Sequence, residues 1–449
     1  MANIEITIEK LVYGGEGLAH HDGVTVFVPF VLPEERISAT PIEKRKKFVR
    51  ARPEYVLAPS PNRVAPRCLH FGMCGGCNYQ HIPYEAQLDY KTQILRETLR
   101  RLGRVDWSGE ITAHASPPWG YRNRAQWKVR LPGSSASEGN STAERSKSAT
   151  ANLGIGYFRA SSSVLCAVED CAILSPLLRK TLLALRQALA TGVLPKSLRE
   201  MEAFAGGTDS QLLLTATFSG FPAHAAELAD AFREIAPETA SLVFHDPTHD
   251  RMELFGPGFV VCEAGGRTYR VGHFSFFQVN RFLAGDLARE VAGNDPGGRL
   301  VIELFAGVGL FSLPLADKFE HVVAVESNPA AARDLEANIS SASTRGCGGG
   351  GPSVEVRIAD VEKFLAGYRG APQAMLLDPP RAGLTPLIVK HLARIAPERI
   401  TYVSCDPPTL ARDLAALAQA GYELSELHLF DLFPQTFHME TVARLRRQP

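Results

Sequence analysis

From Arg299 onward, strand-length apolar runs alternate with helix-length amphipathic stretches, and this alternation constrains the fold more than any other feature of the chain. The strand candidates are Leu300–Phe305, His321–Glu326, Val354–Ile358, Ala374–Asp378, Ile400–Ser404, Glu423–Leu429 and Thr441–Leu445. Strands separated by helices predict an α/β, doubly wound sheet that is mostly parallel, and the last two strands predict a hairpin-like end. The first strand runs into Phe305-Ala306-Gly307-Val308-Gly309, a glycine turn that lets a ligand approach the backbone. Glu326, ending the second strand, offers a carboxylate to ribose hydroxyls. Ser312 stands where a dinucleotide fingerprint has its third glycine, which disfavours NAD.

Later in the same half, Val403-Ser404-Cys405-Asp406-Pro407-Pro408-Thr409 presents one cysteine at the end of a strand pattern, just before a helix. Only a thiolate is a competent nucleophile, and a free thiol with pKa ~8.5 is a few per cent ionised at neutral pH. An electropositive or helix-N-terminal setting is therefore expected around Cys405. Phe433-Pro434-Gln435-Thr436-Phe437-His438-Met439-Glu440 supplies a carboxylate suited to proton abstraction.

At 449 residues the chain exceeds the size at which single cores usually split, so two or three domains are expected. Residues 1–60 alternate in short runs broken by Gly14-Gly15-Glu16-Gly17 and His21-Asp22-Gly23, the pattern of a small β-barrel. Residues 61–287 mix a basic helix (Glu85 to Arg101) with strands, predicting a mixed α+β central domain, and 288–449 form the doubly wound part. Ser/Ala-rich residues 133–152 read as a mobile surface insertion, and 340–353 read the same way.

Cys68, Cys74 and Cys77 crowd a loop softened by Gly75 and Gly76, a strong metal signal that needs a fourth thiolate. Tetrathiolate coordination suits zinc or an iron–sulfur cluster, and Cys166-x4-Cys171 offers a second knuckle for zinc. No apolar run is long enough to span a bilayer, and the start lacks the apolar core of a signal peptide, so a cytoplasmic, monomeric protein without membrane contact is expected. Formal charge balances to zero, leaving any nucleic-acid partner to local patches. Two exist: Lys44 to Arg52, and the strand face formed by Arg122, Arg124, Gln126, Lys128 and Arg130.

The Cys405, Glu440 and Phe305–Gly309 segments together resemble the RNA (uracil-5)-methyltransferase family, with gaps, over most of the chain. That resemblance implies a Rossmann-like methyltransferase domain at 288–449 with a seven-stranded sheet, and methylation of carbon 5 of a uridine in structured RNA. The family cofactor is S-adenosylmethionine, and its contacts map onto Gln278 of Phe277-Gln278-Val279-Asn280, Phe305, Gly307, Glu326 and Asp378 of Asp378-Pro379-Pro380-Arg381, with Asp360 a further candidate on the adenine side. Cys405 maps onto the nucleophile and Glu440 onto the base. Cys68, Cys74, Cys77 and Cys171 map onto ligands of a [4Fe-4S] cluster, with zinc the alternative. Residues 1–60 look like the OB-like TRAM domain, and that accessory architecture resembles ribosomal-RNA members more than transfer-RNA ones. Arg381 replaces the aromatic that amine methyltransferases place after Asp-Pro-Pro, which favours carbon methylation. Asp406 stands where the family has asparagine, and its extra charge is expected to raise the thiol pKa. Ala306 and Leu310 replace a usual cysteine and asparagine at the turn. Two other readings remain, a methyltransferase of amines or small molecules that does not use Cys405, and a noncatalytic RNA-binding protein.

Overall fold

The computed structural model describes residues 3–131, 154–293, 295–343 and 353–448. The insertion expected at 133–152, Cys347 and most of 340–353 lie outside these residues. The chain divides into two compact units, one made of Met1–Arg67, Cys77–Pro118 and Phe282–Pro449, the other of Cys68–Gly76 and Trp119–Arg281.

In the first unit, an eight-stranded sheet carries the order Ser353–Ile358, Phe319–Glu326, Gly298–Leu304, Ala374–Leu377, Arg399–Ser404, Glu440–Arg447, Tyr422–Phe430, Thr112–His114. The seven expected strands are present, and the five from Gly298–Leu304 through Arg399–Ser404 are mutually parallel. Glu440–Arg447 runs antiparallel to both its neighbours, giving the hairpin-like end. The central strands are buried throughout, as the Ala374–Leu377 run shows, because helices cover both faces. The eighth strand, Thr112–His114, comes from the region expected in the central domain and pairs in parallel with Tyr422–Phe430. His114 stacks on Phe430, with ring centroids 3.9 Å apart, which anchors that short edge strand.

The division at residues 60 and 287 is also crossed by helix Tyr84–Thr98, continued as a π-helical turn at Leu99–Gly103. It packs on helix Pro407–Gln419, and a Cβ on Gly103 would lie 2.5 Å from the Ala411 carbonyl oxygen. Gly103 therefore permits a close helix approach that any larger residue would prevent. Only half of the expected basic helix is a solvated face: Lys91, Ile94 and Leu95 are buried. One apolar cluster joins Leu11 and Leu32 from the N-terminal segment, Tyr79, Ile82 and Ile94 from this region, and Ile302, Leu377 and Tyr402 from the sheet.

The N-terminal segment forms a six-stranded mixed sheet, Ile4–Thr7, Arg36–Lys44, Phe48–Ala58, Val24–Pro29, Glu16–His21, Lys10–Leu11 in spatial order. Its own core holds Ile6, Ile8, Val26, Val28, Val31 and Ile37. Of its basic cluster, Arg45 and Arg52 pair with Glu43 and Glu54, while Lys44, Lys46 and Lys47 are exposed.

The second unit is a seven-stranded sheet, mostly antiparallel, with helices Pro176–Ala190 and Ala225–Ile235 and a separate hairpin, Phe259–Ala264 with Arg267–Gly272. In strand Arg124–Arg130 the alternation is as expected, with Ala125, Trp127 and Val129 inward. Its polar face is not a free cationic stripe, however. Glu200 and Glu202 of the adjacent strand meet Lys128 and Arg124, and Arg124 lies over the Phe204 ring at 4.3 Å. Cross-strand pairing with acids neutralises charges that the single strand's sequence left open. Among the described residues, no helix is long and apolar enough to cross a membrane.

Candidate active site

Where the sheet order reverses, between Gly298–Leu304 and Ala374–Leu377, the strand ends of a doubly wound fold open a crevice. The glycine turn borders it. Phe305 takes φ 65°, a left-handed conformation that a bulky residue adopts only where its surroundings impose it. Gly307 (φ 56°) has open space where a Cβ would stand, whereas a Cβ on Gly309 (φ 89°) would lie 2.5 Å from Leu335. Gly309 therefore lets helix Pro329–Ser343 approach, and Asn338 tethers the turn by donating from Nδ2 to the Val308 carbonyl, 2.9 Å. Glu326, nearly buried, accepts from Gly307 N (2.8 Å) and Asn328 N (2.6 Å), so it organises the turn besides offering a carboxylate to the crevice. Asp360 is exposed and caps helix Val361–Gly367 through Lys363 N.

Under the turn lies Glu303, fully buried and hydrogen-bonded by the Ser312 hydroxyl. Burial, then Asp378 and Glu326, push its carboxyl up to about 8, against the Ser312 hydrogen bond. Sequence patterning missed it because a single acid in an apolar strand gives no signal of its own. Asp378 follows strand Ala374–Leu377, and burial raises it as well. Three acids around one crevice suit a cationic ligand.

Cys405 and Glu440 are 35 residues apart in sequence, yet the sheet makes them neighbours. Ser404 pairs with Thr441 in the antiparallel register of Arg399–Ser404 with Glu440–Arg447, so the next rung sets Cys405 opposite Glu440. Cys405 precedes helix Pro407–Gln419, whose N-cap is Asp406. The Asp406 carboxylate accepts from Thr409 N (2.9 Å) and from the Tyr13 hydroxyl (3.1 Å), so it is engaged in capping and in binding the N-terminal segment. Tyr13 also meets Phe437 edge-on at 5.4 Å. No strand or motif signal had singled out Tyr13.

Cys405 has the expected place before a helix N-terminus, with Arg381 at its sulfur, yet burial and acidic neighbours outweigh them. Burial, Glu440 and Asp378 push Cys405 up to about 11, with Arg381, which hydrogen-bonds the sulfur, pulling the other way. The Asp406 carboxylate is engaged by the helix N-terminus and by Tyr13. Glu440 is raised well above the carboxylate range by burial and by Asp378, again opposed by Arg381. One guanidinium thus serves both the thiol and the Glu440 carboxyl. Its loop is tied down by the helix after Cys405: Thr409 donates to the Arg381 carbonyl, Arg412 to that of Ala382, and Asp413 accepts from Leu384 N. Gly383 (φ 73°) is required there, since a Cβ would meet Thr409 at 2.2 Å.

A thiol at about 11 is ionised at roughly one part in ten thousand at pH 7. Alkylation of Cys405 by iodoacetamide, followed by peptide mass spectrometry, should therefore rise about tenfold per pH unit from 7 to 9 without levelling off. Arg381→Leu should slow it and Asp378→Asn should speed it. A plateau below pH 9 would contradict this electrostatic account.

Gln278 belongs to the second unit, where it is buried and its carbonyl accepts from Asn123 Nδ2. Phe274 and Phe276 of the same segment are exposed. Cys68, Cys74 and Cys171 also lie in that unit, and Cys77 belongs to the first. Burial raises Cys74, with Cys166, Cys171 and Cys68 adding to it, so these thiols share one neighbourhood. Cys166, offered above as part of a second knuckle, is among them.

Comparison with known proteins places the chain in a family. The family described as tRNA (Uracil-5-)-methyltransferase matches residues 357–448, and the TRM5/TYW2 methyltransferase domain matches residues 285–346. The 23S rRNA (uracil(1939)-C(5))-methyltransferase RlmD of Alkalilimnicola ehrlichii is 31% identical over 458 residues, covering 99% of this chain and 96% of that protein. RlmD of Klebsiella pneumoniae is 32% identical over 448 residues, with 99% and 96% covered. In structure, the tRNA (uracil-54, C5)-methyltransferase of Pyrococcus abyssi, solved with S-adenosyl-L-homocysteine, superposes with a TM-score of 0.74 at 24% identity, over 98% of this chain and 100% of that one. On these grounds the chain belongs to the RNA uracil-C5 methyltransferase family.

Proposed function

We propose that this enzyme methylates carbon 5 of a uridine in ribosomal RNA, using S-adenosylmethionine and a transient bond between Cys405 and carbon 6. The juxtaposition of Cys405, Glu440 and Arg381 carries this reading. The ribosomal substrate rests on the full-length similarity to the RlmD enzymes.

The cofactor, when bound, supplies an electrophilic methyl group. The crevice fits it: open space at Gly307, the Glu326 carboxylate, and the acids Glu303 and Asp378 that favour a sulfonium and an ammonium. The protein's own part begins with Cys405. Its thiolate, favoured by Arg381, adds to carbon 6, and the displaced electron pair makes carbon 5 nucleophilic. Once carbon 5 carries the methyl group, Glu440 takes its proton. The C–H electrons then restore the ring double bond and the sulfur leaves.

RNA access is supported by a cavity of about 730 Å³ between the N-terminal sheet and helix Tyr84–Thr98. Lys47 lines it beside Phe27 and Phe48, with Lys10 and Arg101 paired to Glu97, a cationic and aromatic combination suited to unpaired nucleotides, and it reaches Pro408 in the helix after Cys405. Residues 1–60 act as the TRAM-like RNA module, and the protein is a cytoplasmic monomer. Cys68, Cys74, Cys77 and Cys171 hold a [4Fe-4S] cluster of structural role, since the thiolate route needs no electron transfer. The thiolate donor set, and the neighbourhood that Cys68, Cys74 and Cys171 share, fit it. Anaerobically purified protein should contain about four iron and four sulfide per chain, and zinc without iron would refute the cluster.

The function is tested by incubating the enzyme and labelled cofactor with RNA from a strain lacking the gene. 5-Methyluridine at one ribosomal position is the expected product. Label appearing only in transfer RNA, or only on an amine, would overturn the assignment.

A further inference from the structure

We propose that the buried pair of Lys91 and Asp431, on either side of the loop that leads to Glu440, is a clamp that positions the base for proton abstraction. This assignment rests on the covalent route proposed above. Asp431 directly follows strand Tyr422–Phe430, and Glu440 opens strand Glu440–Arg447, so the intervening loop sets where the Glu440 carboxyl points.

The Lys91 ammonium donates to Asp431 Oδ1 at 2.6 Å, to the Phe433 carbonyl at 3.2 Å and to the His438 carbonyl at 2.8 Å. Its three protons therefore hold both ends of the loop at one point. Both side chains of the pair are 0% exposed. Gln87, four residues earlier on the same helix face, engages the middle of the loop: its Oε1 accepts from Gln435 N (2.9 Å) and its Nε2 donates to Gln435 Oε1 (3.1 Å). Asn78 N and Tyr79 N each donate to the Gln435 carbonyl at 3.0 Å. Gln435 itself takes φ 68°, a conformation held by these contacts.

A buried ion pair of this kind is weak evidence for stability, since apolar residues of similar volume often serve a core as well or better. What apolar residues cannot do is hold two carbonyls of a loop at set positions. Cys405 and Arg381 are anchored elsewhere, on strand Arg399–Ser404 and on helix Pro407–Gln419, so disturbing this clamp displaces the base and leaves the nucleophile in place.

The test separates the two half-reactions. Lys91→Met/Asp431→Leu removes both charges together, which avoids stranding one of them, and Lys91→Arg keeps the charge on a wider head. Melting temperatures confirm that each variant is folded. With 5-fluorouridine RNA, whose fluorine blocks the last step, formation of the denaturation-resistant adduct should stay within about threefold of wild type. With ordinary uridine RNA, turnover should fall roughly 100-fold, the scale of a 1 Å misplacement. The methylated, Cys405-linked RNA should accumulate, less so in Lys91→Arg. Turnover within threefold of wild type in the folded double variant, or equal loss of both half-reactions, would overturn the clamp. A wild-type enzyme giving no adduct with 5-fluorouridine RNA would instead bring down the covalent route, and the clamp with it.

Discussion

Cys405→Ala is expected to lower methyl transfer by at least about four orders of magnitude, because the step that makes carbon 5 nucleophilic loses its only reagent. The same substitution should abolish the adduct with 5-fluorouridine RNA while leaving cofactor binding intact. Cofactor affinity is unaffected because the glycine turn is held by Glu326, Asn338 and Leu335, the last two on a different helix from the one after Cys405. Stability should change little, within about 1 kcal/mol, since Cys405 is only partly buried and Asp406 still caps its helix. Cys405→Ser should be nearly as inactive. A hydroxyl is far harder to ionise than a thiol, and the neighbouring Glu440 and Asp378 oppose any anion there. Labelled methyl incorporation and a denaturing gel measure both outcomes. Retention of even one hundredth of wild-type turnover by Cys405→Ala would mean that the sulfur does not bond to the ring.

The catalytic sheet was legible because its strands are long, apolar and separated by helices, and because Gly307 and Gly309 mark the turn. Thr112–His114 escaped because three residues carry no periodicity; stacking on Phe430 and pairing with Tyr422–Phe430 make it a strand. The chemistry of Cys405 and Glu440 was legible only through resemblance to a family, since nothing local relates two residues so far apart. Sheet register supplies the relation. Lys91 was legible only as one charge of a basic helix, because the partner that lets it be buried, Asp431, lies 340 positions away. The same blindness to distant partners hid Glu200 and Glu202 behind an apparently cationic strand face, and hid Tyr13 until its hydroxyl met Asp406. In each case the local pattern predicted the element and the tertiary partner decided what the side chain does.

Glu440→Gln should split the reaction at its last step. Glutamine keeps the shape and burial of the side chain but cannot accept a proton, so the methylated adduct forms and then persists. Ordinary uridine RNA should then give the same denaturation-resistant species that wild type gives only with the fluorinated base, and turnover should fall by about two to four orders of magnitude. Adduct formation itself should not slow, since Glu440 is one of the groups that raise the Cys405 thiol. The pH profile supplies an independent check. Burial and Asp378 hold Glu440 well above the usual carboxylate range, so its basic form grows as pH rises above that range. Release of product by the wild type should therefore quicken with pH above it, and the Gln variant should lose this dependence. Persistence of the wild-type slope in Glu440→Gln would assign proton abstraction elsewhere. The alternative acid is Asp378, which burial also raises and which itself raises both Cys405 and Glu440. Comparing Asp378→Asn with Glu440→Gln decides between them. Loss of the base traps RNA on the enzyme, whereas loss of an acid that serves the cationic cofactor weakens cofactor binding and leaves no trapped species.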